Sequence, residues 1–149
     1  MTTSITVRRM NALDIDGVLA VEQQAFTTPW SREGFVNEMS NELAYYLVLV
    51  EASNIIGYAG MWLIVDEAHV TNVAVLPEYR GKKLGEKLMA ALIDHAKNRG
   101  ALRMTLEVRA SNEVAQGLYS KFGFASQGRR RNYYTDTKED ALIMWCEKL

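Results

Sequence analysis

The sequence predicts a mixed α/β fold, in which helices pack on the faces of one mixed sheet of the α+β kind. The chain has 149 residues, of which 48% are apolar, and this is enough for one substantial core. Strand-like and helix-like segments follow each other in the order βααβββαβαββ, without a repeat, a low-complexity stretch or a linker. We therefore expect residues 1–149 to form a single domain.

The first elements are a strand and two short helices. Residues Ile5 to Met10 predict a strand, and apolar residues at helical spacing then predict a helix that Pro29 ends. Ser31 is a suitable N-cap for a second helix, which carries Phe35 and Met39. The apolar positions of the first helix are Leu13, Val18, Leu19, Val21 and Phe26.

Three strands come next. Segments 44–51 and 55–65 predict a hairpin around residues 52–54. His69 to Val75 predicts a further strand, which runs directly into Pro77 and a turn rich in glycine and lysine.

The second half begins with the best-marked helix, which stops at Gly100 and has Lys97 and Arg99 in its last turn. Its apolar stripe consists of Leu84, Leu88, Leu92 and His95/Ala96. The remaining elements are a strand (Leu102 to Val108), a helix (Asn112 to Phe122, with Val114, Leu118 and Phe122 on one face) and terminal strands near 124–133 and 140–147.

Charge and composition limit which binding partners and which cellular compartment are expected. The formal net charge is −1, so we expect no direct nucleic-acid binding and no attraction to a membrane surface. No apolar run approaches the roughly 20 residues that span a bilayer, and the first residues lack a signal-peptide core. A single cysteine, Cys146, excludes an internal disulfide and agrees with a reducing compartment. We expect a cytoplasmic protein.

Two other groups of residues carry little functional signal. His69 and His95 are isolated from each other and from any acidic cluster with metal-ligand spacing, so no metal site is predicted. Arg129 to Arg131, followed by Tyr133 and Tyr134, could contact RNA. A solvated hairpin edge is the commoner explanation of such a run.

The turn after the fourth strand could bind an anion. A segment that contains Gly81 and Gly85 leads into the N-terminus of a helix there, and Arg80, Lys82 and Lys83 add positive charge. Phosphates would fit, but a glycine near a helix start often only satisfies geometry, so both interpretations stay open. The chain has neither the GxxxxGK[ST] pattern of a nucleotide P-loop nor a dinucleotide-binding GxGxxG.

At this turn the sequence resembles the GNAT superfamily of N-acetyltransferases, whose coenzyme A loop reads Arg/Gln-x-x-Gly-x-Gly/Ala between the fourth strand and the third helix. Arg80, Leu84 and Gly85 match this motif, whereas Lys83 replaces its first glycine. Position 83 must therefore keep a negative φ or accept backbone strain.

The resemblance extends over nearly the whole chain to the ribosomal-protein-alanine N-acetyltransferase family. It is carried by TNVAV (71–75), LEVRASN (106–112), LYSKFGF (118–124) and RRNYY (130–134). This resemblance implies a central, mostly antiparallel mixed sheet of about seven strands with about four helices. It also implies transfer of an acetyl group from acetyl-CoA to an amine, with no metal.

The resemblance further implies where acetyl-CoA binds. The backbone of the fourth strand would pair with the pantetheine arm like a neighbouring strand, which requires the sheet to splay locally, with a bulge near Asn72. The expected cofactor-binding residues are Val73, Ala74, Val75, Arg80, Gly81, Lys82, Lys83, Leu84, Gly85 and Asn112. Asn112, as the first residue of its helix, could instead be only an N-cap.

Acetyl transfer needs a base for the amine and an acid for the leaving thiolate. Glu107 lies between Leu106 and Val108 in an apolar strand, where partial burial could raise its pKa and make it a better base. The resemblance implies that role, although a glutamate there is often just on the solvent face. It likewise implies that Tyr119 is the acid, whereas periodicity alone favours a core tyrosine.

The acceptor side is expected at Trp30, Tyr133 and Tyr134, together with the loop from Phe26 to Trp30. The resemblance implies that the acceptor is a protein N-terminus, most simply the N-terminal alanine of a small-subunit ribosomal protein. A lysine side chain or a small-molecule amine is an alternative acceptor. A non-enzymatic module that binds acyl-CoA is a further alternative, since fold alone does not decide function.

Overall fold

A computed structural model describes residues 4–26 and 29–149, and its strands form one seven-stranded sheet. The strands are β1 (Ile5–Arg9), β2 (Ala44–Glu51), β3 (Asn54–Ile64), β4 (Glu67–Val75), β5 (Arg103–Arg109), β6 (Ala125–Tyr134) and β7 (Glu139–Cys146). The helices are α1 (Ile15–Ala25), α2 (Arg32–Met39), α3 (Leu84–Asn98) and α4 (Glu113–Lys121). The predicted order of elements is confirmed.

The sheet order is β1-β2-β3-β4-β5-β7-β6, and β4–β5 is the parallel pair among otherwise antiparallel neighbours. The predicted mixed, mostly antiparallel sheet is therefore confirmed. Two cores cover its two faces. Tyr46 and Val48 of β2 pack with α1 and α2, whereas Leu47 and Leu49 pack on the opposite face with α3 and α4. This two-residue alternation is what a strand buried on both faces requires.

Local capping rules set several helix ends as predicted. The Ser31 hydroxyl accepts a hydrogen bond from the Gly34 N–H (3.1 Å), and the Asn112 side chain accepts one from the Ala115 N–H (3.1 Å). Gly100 follows α3 with a φ of 89°, a conformation that glycine adopts without strain.

Two residues assigned to buried helix faces are solvent-exposed instead. Leu13 is 93% exposed because a capping box between Asn11 and Asp14 forms a short 3-10 turn, so that α1 starts only at Ile15. Val114, in the first turn of α4, is 88% exposed. The first helix also ends earlier than predicted. α1 stops at Ala25, and the backbone of Phe26 is already extended.

Strands β4 and β5 separate after a short stretch, and this creates the gap that the acetyl-CoA prediction required. Their parallel pairing covers only Glu67–His69 against Arg103–Thr105. The register of β4 against β3 then shifts, because Gly60 pairs with Asn72 but Met61 pairs with Val70, which leaves Thr71 as an extra residue. The predicted bulge near Asn72 is thus present, and beyond it β4 pairs with β3 alone.

Gly60 permits the packing that supports this bulge. A Cβ at this position would lie 1.8 Å from Tyr46 Cε1, so the tyrosine ring occupies the space that a side chain would need. The Tyr46 hydroxyl in turn lies 3.1 Å from the Thr71 hydroxyl of the bulge.

We predict that Gly60→Ala lowers the free energy of unfolding by about 2 kcal/mol, because the buried Tyr46 ring must move out of a close-packed core. Urea denaturation measures the change. Gly117→Ala is the matched control, since a Cβ there meets nothing within 4 Å and α4 should gain helix propensity. Equal stability of Gly60→Ala and the wild type would contradict this account of the packing.

Candidate active site

A cleft of about 480 Å³ opens where β4 and β5 separate. Its walls come from β4, β5, α1, α4 and the β6–β7 hairpin. The sequence-predicted residues that line it are Trp30, Val73, Glu107, Asn112, Tyr119, Tyr133 and Tyr134. Ala74, Val75 and residues 80–85 lie outside its walls. The structure therefore brings the predicted base, acid and acceptor residues to one space.

Glu107 lies on the β5 wall with a side chain that is only 12% exposed. Its Oε2 is 2.8 Å from His69 Nε2, and its Oε1 is 3.7 Å from an Arg130 guanidinium nitrogen. The hydrogen bond from His69 is the main reason why the pKa of Glu107 is lowered, and it outweighs the opposing effect of burial. The predicted net rise of the Glu107 pKa is therefore wrong, and Glu107 is ionised at neutral pH.

The contact between His69 and Glu107 was not predicted from the sequence. In the parallel register His69 pairs with Thr105, and Glu107 is the next residue on the same face of β5. The contact joins residues 38 apart in sequence, so linear spacing does not reveal it. Only the β4–β5 register would have indicated it.

Tyr119 belongs both to the core and to the cleft wall. It is 8% exposed, and its ring centroid lies 6.0 Å from that of Phe124. Burial raises the pKa of Tyr119 to about 12, so the phenol is protonated throughout the physiological range. Asn112, at the opposite end of α4, caps the helix and also lines the cleft, so the N-cap is present and the cofactor role of Asn112 stays a prediction.

A buried carboxylate that the sequence did not indicate supports the α1 side of the cleft. Glu22 is 1% exposed and accepts hydrogen bonds from the Tyr58 hydroxyl and from the Trp30 backbone N–H (2.9 Å). Asn72 Nδ2 donates to the Tyr58 oxygen (2.8 Å). This leaves Asn72 Oδ1 buried without a hydrogen-bond partner in the part of the chain that the structure describes. An unpaired buried acceptor of this kind is costly.

A second buried carboxylate supports the bulge. The Tyr46 hydroxyl and the Trp62 indole N–H donate to Glu38 Oε1, over 3.0 and 2.9 Å. Tyr46 also contacts Thr71, so this network connects the bulge to α2. The partners of the two carboxylates lie between 3 and 36 residues away in the sequence, and they form no motif that would have indicated these contacts.

Aromatic rings form the outer part of the cleft. Tyr133 and Tyr134 meet edge to face with centroids 5.1 Å apart, and the Arg109 guanidinium lies 4.1 Å from the Tyr134 ring centre. Burial raises the pKa of Tyr134 to about 12. Phe26 and Trp30 also line the cleft. Residues 27 and 28 of the predicted Phe26–Trp30 loop lie outside the described residues.

The predicted anion site adjoins β4 at the start of α3. No side chain caps this helix, and Arg80, Lys82 and Lys83 are exposed around its first turn. Gly81 has a φ of 80°, and Lys83 has a φ of 60°. Of the two possibilities at position 83, the chain therefore adopts the strained one. Gly85 faces Leu118 of α4, and a Cβ there would lie 3.1 Å from Leu118 Cδ2.

In the ranges 4–26 and 29–149, no group of three histidine, cysteine, aspartate or glutamate side chains could hold a metal ion. None of the helices that the structure describes has the length and apolar character needed to cross a membrane.

Comparison with known proteins decides the family. The model of the acetyltransferase (GNAT) family matches residues 15–124, which is well over half of the chain. The chain belongs to the GNAT family. As a GNAT protein it is an acetyl-CoA-dependent N-acetyltransferase, and acetyl-CoA is its cosubstrate.

Individual relatives of this GNAT chain support the same conclusion. A ribosomal protein bS18-alanine N-acetyltransferase of Escherichia coli is 38% identical and covers 93% of this chain and 95% of its own. A Bacillus subtilis protein, provisionally assigned the same activity, is 48% identical and covers 97% of both chains. The crystal structure of the Escherichia coli enzyme superposes with a TM-score of 0.90 at 35% identity, covering 98% of this chain and 96% of that one.

We predict that Lys83→Gly raises the free energy of unfolding by about 1 kcal/mol. Relief of the left-handed strain outweighs the greater freedom that glycine gives to the unfolded chain. Lys82→Gly is the matched control, because Lys82 has a negative φ and loses an equal charge. It should lower stability by about 0.5 kcal/mol. Thermal unfolding of both variants provides the measurement, and equal shifts in the same direction would contradict the strain at position 83.

Proposed function

We propose that this enzyme acetylates the N-terminal α-amine of a protein and that its acceptor is the N-terminal alanine of ribosomal protein bS18. The activity named for the Escherichia coli relative supports the acceptor. The observation that carries the chemistry is the single cleft that holds Glu107, Tyr119 and an aromatic wall where β4 and β5 part.

The structure offers a suitable place for acetyl-CoA. The coenzyme supplies the thioester whose acetyl carbon accepts the amine nitrogen and whose sulfur leaves. Beyond His69, the backbone of Val73, Ala74 and Val75 pairs only with β3, so its other side is available to an extended pantetheine arm. The uncapped N-terminus of α3 and the exposed cations of residues 80–83 suit the diphosphate.

Glu107 and Tyr119 are suited to the two proton transfers. Glu107 is ionised at neutral pH, which is the form that accepts a proton from the amine, either directly or through water. Tyr119 keeps its proton up to a pH of about 12, so it can donate to the leaving sulfur. Because Tyr119 is largely buried, its hydroxyl has little competition from bulk water.

The acceptor is proposed to enter past Trp30, Tyr133 and Tyr134, whose rings border the cleft. Asn72 Oδ1 is proposed as the acceptor for an N–H group of the substrate at the inner end of the cleft. Its amide is held in place because Nδ2 donates to the Tyr58 oxygen and Tyr58 in turn donates to Glu22. A substrate amine or peptide N–H would remove the cost of this unpaired oxygen.

Two matched peptides test the acceptor assignment. One begins with a free Ala-Arg and contains an internal lysine, and the other has the same sequence with a blocked N-terminus. Mass spectrometry after incubation with acetyl-CoA should place the acetyl group on the α-amine of the first peptide and leave the second unmodified. Acetylation of the lysine in both peptides, or of neither peptide, would overturn the proposed acceptor.

We predict that Tyr119→Phe lowers kcat by about 100-fold or more, the usual contribution of a general acid, and leaves the affinity for acetyl-CoA nearly unchanged. Steady-state kinetics and calorimetric titration measure the two quantities. Tyr45→Phe is the control, since Tyr45 stacks on His95 away from the cleft. An unchanged kcat in Tyr119→Phe would remove this phenol from the mechanism.

A further inference from the structure

His69 contacts the proposed base but does not line the cleft. Its Nε2 lies 2.8 Å from Glu107 Oε2, while Glu107 itself forms part of the cleft wall. The His69 side chain is 38% exposed, against 12% for Glu107. The imidazole therefore reaches solvent on one side and holds the buried carboxylate on the other.

The charge of this imidazole alters what Glu107 can do. A neutral imidazole that donates its Nε2–H orients Glu107 through Oε2 and leaves Oε1 for the cleft. An imidazolium at the same distance adds a full positive charge beside the carboxylate and lowers its affinity for a proton. Histidine is the side chain that changes between these forms near neutral pH.

We propose that the charge of His69 sets how well Glu107 acts as a base. A neutral His69 orients the carboxylate so that it can accept the amine proton, whereas a protonated His69 lowers the affinity of the carboxylate for that proton. This inference rests on the proposed role of Glu107 as base. The amine N–H bond breaks as an O–H bond forms on Glu107, and that proton later passes to water. His69 keeps its own Nε2–H throughout, so it is a positioning residue.

The other groups near the His69–Glu107 pair come from the neighbouring strands and from the cleft. The sheet partners of His69 are Trp62 on β3 and Thr105 on β5, and neither carries a charge. On the same face, Glu67 of β4 and Arg103 of β5 form their own ion pair (3.3 Å). From β6, Arg130 lies 3.7 Å from Glu107 Oε1, and from the cleft Tyr134 and Glu22 also face it. Arginine stays charged at every pH used in an assay.

The decisive variant is His69→Gln, which keeps a neutral N–H donor but cannot acquire a proton. The acceptor amine also loses its proton with rising pH, but wild type and variant experience this equally. The ratio of kcat/KM for His69→Gln to that for the wild type cancels the amine's contribution. This ratio should rise about tenfold for each pH unit below the point at which His69 gains its proton, because only the wild type carries that proton.

Arg130→Gln is the matched control, because it removes a permanent charge near Glu107. Its ratio to the wild type should be constant with pH, whatever its absolute value. A flat ratio for an active His69→Gln would overturn the inference, because the proton on His69 would then have no effect on catalysis.

A measurement on the wild-type enzyme tests the same inference even if the His69→Gln variant does not fold. The ring signals of the two histidines, His69 and His95, can be followed by NMR and assigned with a His95→Asn variant. The midpoint for His69 should coincide with an acidic limb in the pH dependence of the single-turnover rate, after correction for the amine. A separation of more than about one pH unit would overturn the inference.

Glu107→Gln separates this inference from the proposed function. If Glu107→Gln retained wild-type rates, the base role itself would fail, and the role of His69 with it. If Glu107→Gln were impaired while the ratio for His69→Gln stayed flat, only the role of His69 would fail.

Discussion

The separation of two parallel strands is the constraint on which the rest of this structure depends. β4 and β5 pair over three residues and then diverge, because the extra residue Thr71 turns β4 away. A divergence within a sheet leaves backbone groups without partners, and such groups are costly unless a ligand or solvent satisfies them. Under the proposed function, an extended cosubstrate would complete this pairing and so remove the cost.

Two buried carboxylates keep the opening in place from one face of the sheet. Glu38 acts through Tyr46 on the bulge, and Glu22 acts through Tyr58 on Asn72. A buried carboxylate is tolerated only when it is well hydrogen-bonded, so each fixes the geometry of its tyrosine partner. Groups around a reacting centre need such supporting hydrogen bonds, because a small displacement of a reacting group strongly lowers the reaction rate.

Much of the fold could be predicted because its rules are local. Helix caps at Ser31 and Asn112, the stop at Gly100 and the alternation in β2 follow from residues a few positions apart. Periodicity failed for Leu13 because it does not reveal that a capping box delays the start of α1. Periodicity likewise did not predict that Val114, in the first turn of α4, is exposed.

The sequence singled out residues that line one cleft, but it did not predict the electrostatics of that cleft. Glu107 and Tyr119 were expected from motifs, and the structure does bring them to one cleft. The pKa of Glu107 is lowered and not raised, because the hydrogen bond from His69 on β4 outweighs the effect of burial. This contact depends on the register between β4 and β5, which the spacing of residues in the sequence does not reveal. Glu22 could not be recognised either, since its partner Tyr58 lies 36 residues away on β3 and contacts α1 only when that helix packs on the sheet.

The contact between Gly85 and Leu118 couples the two ends of the site. Because a Cβ at position 85 would already press on Leu118, the first turn of α3 lies directly against the helix that carries Tyr119. An ion pair between Glu86 and Lys121 (2.6 Å) joins the same two helices. Contacts between α3 and α4 therefore bear on the distance from the proposed diphosphate site to the Tyr119 phenol. Under the proposed function, a fixed distance would favour carriers whose acyl-bearing arm has the matching length.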